Sequence, residues 1–134
     1  MPLHTEFTAD GRGVLQTVTG VISVGELIAD LNGRQDDPVR IAQRRFGLID
    51  FSGAAGLTEA TAENLHRLIA EQRRMARFAP RLDLAVIAPS DLIFGVARMW
   101  EGLNDELGWS GCVVRTRAEA LEWLRDQGHG ESLR

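Results

Sequence analysis

The run Phe46-Gly47-Leu48-Ile49-Asp50-Phe51 carries apolar side chains at both odd and even positions. A strand sends successive side chains to opposite faces, so this run needs cover on both sides, as a central parallel strand does. Leu82 to Ala88 repeats the pattern, and Gly111 to Arg115 reads as a last short strand. Helical stripes separate these runs. Leu65, Leu68, Ile69, Met75 and Ala76 make one, on a helix expected from Thr58 to about Ala79. Another helix is expected from Asp91 to about Leu107, with Ser90 as its cap and Gly108 as its stop.

The start of the chain is different. Leu3 to Ala9 and Val14 to Ile22 flank Asp10-Gly11-Arg12-Gly13, which reads as an antiparallel hairpin. Ser23-Val24-Gly25-Glu26 and Thr116-Arg117-Ala118-Glu119 match capping boxes, each opening a helix. The first of these ends near Asn32-Gly33, and the second runs to Gly128. Arg34 to Gln43 reads as irregular, or as a short turn from Pro38. The expected fold is α/β: a mixed, mostly parallel five-stranded sheet with four or more helices, in the order β-β-α-β-α-β-α-β-α. One domain is expected over residues 1–134, with 128–134 as a flexible tail. The expected core holds Leu48, Ile49, Leu68, Leu84, Val86, Val96, Leu103, Val113 and Leu121.

Composition narrows the chemistry. All 15 basic residues are Arg, which removes a lysine Schiff base and the phosphate-loop lysine. Tyr is absent as well. The net charge of −4 supplies no global field for nucleic acid or an acidic membrane. Cys112 is the single cysteine and reads as an inert core thiol, consistent with a reducing compartment. No basic start leads into an apolar run, and no stretch reaches the roughly 18 apolar residues of a span, so neither export nor membrane insertion is expected. By elimination the chain reads as cytoplasmic. His4, His66 and His129 show no paired spacing, and no nucleophile–base pattern is legible. No enzyme, cofactor or metal is expected.

Three stretches carry a family resemblance. They are Leu48-Ile49-Asp50-Phe51-Ser52-Gly53, then Ala88-Pro89-Ser90-Asp91 running into Phe94-Gly95-Val96-Ala97-Arg98-Met99, and finally Ala118-Glu119-Ala120-Leu121-Glu122-Trp123-Leu124. With the order of elements, they resemble the STAS-like superfamily, the fold of SpoIIAA-type anti-sigma-factor antagonists. Within it the chain is similar to a bacterial group labelled SpoIIAA-like or STAS/SEC14-like. The resemblance implies a regulatory or protein-interaction domain, and the SEC14-like label implies a carrier for an apolar or lipid-like small molecule as the alternative. Classical antagonists are phosphorylated on a serine opening their second helix. The matching loop here, Gly56-Leu57-Thr58-Glu59-Ala60-Thr61, lacks the Asp-Ser-Ser-Gly signature and offers Thr58 as the candidate phospho-switch position. The residues themselves point rather to Thr58 as that helix's N-cap, its hydroxyl accepting from the amide of Ala60 or Thr61.

Two groups of residues are candidate sites. Asp50, Ser52, Ser90, Asp91 and Thr116 fall at the carboxyl ends of strands, where open α/β sheets bind ligands, although capping accounts for Ser90 and Thr116 and loop amides for Asp50. The second group lies on the helix after Ser90. There Leu92, Val96, Trp100, Leu103 and Leu107 form the stripe expected to face the sheet, with Phe94 about 160° from Val96. Phe94, Gly95, Arg98, Met99 and Gly102 would then form an interface for a homodimer or another protein, or line an apolar groove. The alternative is that Phe94 tucks under a neighbouring loop.

Overall fold

A computed structural model describes residues 2–34 and 37–134. Its centre is β3, Phe46–Thr58, flanked by β2, Gly13–Ser23, and β4, Asp83–Ile87. The edges are β1, Leu3–Phe7, and β5, Ser110–Val114, so the sheet order is the chain order. Only β1 runs antiparallel; β2, β3, β4 and β5 are parallel. Between and after the strands lie α1 (Val24–Arg34), α2 (Pro38–Gln43), α3 (Ala62–Ala76), α4 (Asp91–Asn104) and α5 (Arg117–Asp126). This is the expected mixed five-stranded sheet.

A strictly sequential parallel order has a consequence. Crossovers of one hand between neighbouring strands all fall on the same face. Hence α1, α3 and α4 share one face, where Val18, Ile22, Ile28, Leu68, Ile93 and Trp100 belong to a single core. The other face is covered by α5, whose Ala120 and Leu124 pack on Phe46, Leu48, Ala85 and Ile87. The two-sided apolar run thus has a layer on each side.

Several local expectations change. Gly53 to Gly56, expected as a loop, continues β3, because β2 keeps offering backbone partners out to Ser23↔Thr58. Two register shifts accommodate it, one beside Gly20, whose φ of +69° suits glycine. Thr58 is therefore the end of a strand and not a cap. The N-cap of α3 is Thr61, whose hydroxyl accepts from the Asn64 amide at 3.1 Å. α3 ends at Ala76, before Ala79, and α4 ends at Asn104 in a 3-10 turn, Asp105–Leu107. α1 runs past Asn32-Gly33 to Arg34. The stretch expected to be irregular holds α2, capped by Asp37 with Pro38 in its first turn, while residues 35–36 lie outside the described residues. Residues 128–134, expected as a loose tail, lie against the body: Leu133 packs beside the α5 core and His129 pairs with Asp83.

Of the expected core, Leu48, Leu68, Val86 and Val113 are buried. Ile49, Leu84, Val96, Leu103 and Leu121 are half-buried. Ile49, Leu84 and Val96 border an internal cavity described below. The larger correction concerns α4. Its buried residues are Ile93, Ala97, Trp100 and Asn104, while Leu92 is 67% exposed. The buried stripe is turned by somewhat less than one residue's step of about 100° from the expected one. Asn104 fits a core because its Nδ2 donates to the Trp109 carbonyl at 3.4 Å.

Candidate functional site

Apart from one bond between Asp50 and Ser52, the strand-end residues find their partners outside their own set. Asp50 Oδ1 accepts from the Ser52 amide at 2.8 Å, and its Oδ2 faces Arg117 Nη1 at 3.4 Å. Ser90 caps α4 through the Ile93 amide at 3.3 Å, and Thr116 caps α5 through the Glu119 amide at 3.2 Å. Arg115 Nη1 bridges Asp91 Oδ1 at 2.8 Å and the Pro89 carbonyl at 3.0 Å. Helix starts and ion pairs account for Asp50, Ser90, Asp91 and Thr116, while Ser52 contributes only its backbone amide.

Arg115 also decides the position of Phe94. Its guanidinium lies 3.8 Å from the Phe94 ring centroid, and Phe94 is half-buried against the main core. Phe94 thus tucks in beside the strand-end loop and leaves the outer face of α4. That face consists of Leu92, Gly95, Met99 and Gly102, with Arg98 at its rim in an ion pair with Glu101 at 3.5 Å. Met99 is 53% exposed, and a Cβ built on either glycine meets nothing within 4 Å. Leu92 was the residue sequence reasoning missed. The adjacent Leu92-Ile93 pair admits two helical phases, and the wrong one placed Leu92 inward.

Thr58 is exposed beside the start of α1. That start is already occupied by Glu59, which has φ +58° and accepts from the Gly25 amide at 3.3 Å. Cys112 is half-buried on β5, and burial, with Glu101 and Glu119 adding to it, pushes its thiol pKa up. Asp10, in the first hairpin, is held at a pKa of about 2 by hydrogen bonds from Ser132 and Thr8 and from the Arg12 amide. Among the described residues no three His, Cys, Asp or Glu side chains group as a metal site, and no helix is long and apolar enough to cross a membrane.

A cavity of about 150 Å³ lies between the sheet and α1, α3 and α4. Its walls are mainly apolar, including Val86, Leu65 and Trp100. The polar part of the lining includes Gln16, Asp30, Arg34 and Arg44. Gln16 Nε2 donates to Asp30 Oδ2 at 3.0 Å. Arg34 Nε faces the same oxygen at 3.2 Å, out of line for a hydrogen bond. Burial pushes the Arg34 pKa down, against the pull of Asp30. Arg44 is shifted down too, by burial first and then by Arg40 and Arg34. Its guanidinium rests 4.3 Å from the Phe7 ring centroid and donates to the Gly11 carbonyl.

No protein-family model matches the sequence, and no curated protein does. Solved structures do. An uncharacterised protein of the DUF3478 family from Shewanella loihica, with a SpoIIAA-like fold, superposes at a TM-score of 0.54 and 17% identity, over 91% of each chain. The anti-sigma factor antagonist SpoIIAA in its unphosphorylated form gives a TM-score of 0.54 at 13% identity, over 94% of this chain and 98% of that one. With the strand order, the antiparallel β1 and the helix layers above, these likenesses establish that the chain has the STAS/SpoIIAA-like fold.

Proposed function

We propose that the chain is a non-enzymatic interaction domain that pairs with a second copy of itself through the outer face of α4. The observation that supports this most is the pair of open glycines. Each helix-interior Gly costs roughly 1 kcal/mol against Ala, and neither Gly95 nor Gly102 has a neighbour within 4 Å to require it. A close approach from outside supplies the reason. Leu92 and Gly102 lie equally far from Ala97 along the helix, as do Met99 and Gly95. An antiparallel copy therefore sets each large side chain over a glycine, a self-complementary two-fold contact. Leu92 and Met99 are 67% and 53% exposed, so covering them regains about 1–2 kcal/mol each. α4 is only 14 residues long. One such helix pair buries less than the roughly 1,200 Å² of a standard interface, so the dimer is concentration-dependent.

A second reading, carriage of an apolar or lipid-like molecule, is favoured by the cavity. An apolar group seated against its walls would gain roughly 25 cal/mol for each Å² of apolar surface withdrawn from water. A void of about 150 Å³ holds about one aromatic ring, too little for a whole acyl chain, so this reading ranks second.

Native mass spectrometry of the purified protein separates them. The expected result is a species at twice 14.8 kDa at tens of micromolar, reduced to monomer in Met99→Asp, which changes an exposed side chain and leaves the fold intact by circular dichroism. A co-purifying apolar mass on the monomer would support the carrier. A wild type that stays monomeric across the concentration range would defeat self-association.

A further inference from the structure

At the end of the sheet opposite the strand-end candidates, the register collects arginines. Gly13 pairs with Phe46, and Phe46 with Asp83, so β2, β3 and β4 begin level with one another. Arg12 immediately precedes β2, Arg45 immediately precedes β3, and Arg81 stands two residues before β4. Neighbouring strands are about 4.8 Å apart, so three separate chain segments deliver a guanidinium each to one small area. These three side chains line an open cleft of about 380 Å³, with Asp83, Gly128 and His129 completing its wall.

The charges within the cleft do not balance. None of the three arginines forms an ion pair among the described residues. Arg45 Nη1 is fixed by the Ala42 and Arg44 carbonyls at 2.7 and 2.9 Å, which orients its guanidinium without neutralising it. Asp83 is the one carboxylate in the lining, and His129 Nε2 holds its Oδ2 at 2.7 Å. The nearby Asp10, bonded by Thr8, the Arg12 amide and Ser132, keeps its charge and faces Arg12, so three guanidinium groups stand against two carboxylates. His129 is itself seated, its ring 4.6 Å from that of Phe46. Arg45 and His129 are thus held in place, while Arg12 and Arg81 are exposed, in a chain whose net charge is −4.

We propose that the cleft of Arg12, Arg45, Arg81 and His129 binds a phosphate monoester dianion. Guanidinium groups match phosphate oxygens in forked, paired hydrogen bonds, and the three here outnumber the carboxylates Asp83 and Asp10 beside them. The open mouth admits either a soluble phosphate ester or the headgroup of a lipid.

The test is a titration of isotope-labelled protein with inorganic phosphate at constant ionic strength, followed by amide and arginine side-chain resonances. The expected result is saturable shifts at Arg12, Arg45, Arg81 and His129 in the millimolar range, absent with chloride. The double variant Arg12→Gln/Arg81→Gln removes two exposed side chains that form no ion pair, so its fold is expected to hold. It should bind phosphate roughly tenfold or more weakly. Sedimentation with phosphatidylcholine vesicles, with and without phosphatidic acid, distinguishes the sources. Phosphatidic-acid-dependent pelleting identifies a lipid headgroup, and phosphate binding without pelleting identifies a soluble ester. No saturable shift, or equal affinity in the double variant, would overturn the proposal.

Discussion

Trp100→Ala is expected to destabilise the domain by about 4 kcal/mol, within the 3–5 kcal/mol usual for deleting a buried tryptophan. Trp100 is 6% exposed on α4 and reaches across to α3, where its Nε1–H donates to Gln72 Oε1 at 2.9 Å. Gln72 is 7% exposed, so part of that loss, about 1–3 kcal/mol, comes from stranding a buried acceptor. The ring also presses on β5: a Cβ placed on Gly111 would lie 3.2 Å from Trp100 Cη2. One side chain therefore joins two helices and a strand. Total stability for a domain of this size is about 5–15 kcal/mol, so the variant should be near its unfolding midpoint at modest urea. Trp100→Phe retains most of the ring volume and should lose about 1–3 kcal/mol. Urea denaturation followed by far-ultraviolet circular dichroism measures both. A loss under about 1 kcal/mol for the alanine variant would mean that α4 is not docked by Trp100.

Phe46→Ala is the counterpart on the other face, with an expected loss of about 3–5 kcal/mol. Phe46 is fully buried between β3 and α5, and its ring also seats His129. It fits because residue 13 is glycine: a Cβ there would stand 2.3 Å from Phe46 Cζ and 2.8 Å from Thr8 Cγ2. Gly13→Ala alone should therefore cost roughly 1–3 kcal/mol by overpacking. Combined with Phe46→Ala it should cost less than that, because the nearer clash is gone and only the Thr8 methyl still has to move. The double-mutant cycle reads this coupling directly. Strict additivity would show that the two positions do not touch.

The sheet was legible because burial on both faces leaves a mark in sequence. Phe46 to Phe51 and Leu82 to Ala88 are apolar at alternate and intervening positions, and few other structures use such short runs. Three helix starts were legible for a local reason: Ser23, Ser90 and Thr116 each bond an amide three residues on. What failed depended on partners distant in sequence. Gly53 to Gly56 looks like a loop until β2 is placed beside it. Thr58 and Thr61 are both plausible caps, and the length of β3 chooses between them. The phase of α4 turned on Asn104, a polar residue that enters the core through its bond to the Trp109 carbonyl. The outer face was then misassigned by one position, with Phe94 included and Leu92 left out. The arginine cleft depends on strand register, which no single segment encodes.

The proposed pairing through α4 is tested most directly by isotope-filtered nuclear Overhauser spectroscopy on a mixture of methyl-labelled and unlabelled protein. Only contacts between two chains survive the filter. With α4 antiparallel to its copy about Ala97, the Met99 methyl of one chain should show cross-peaks to the Gly95 α-protons of the other, and the Leu92 methyls to Gly102. Both sets should weaken on dilution through the micromolar range. Intermolecular cross-peaks from other surfaces, or none at concentrations where the mass is dimeric, would contradict the account.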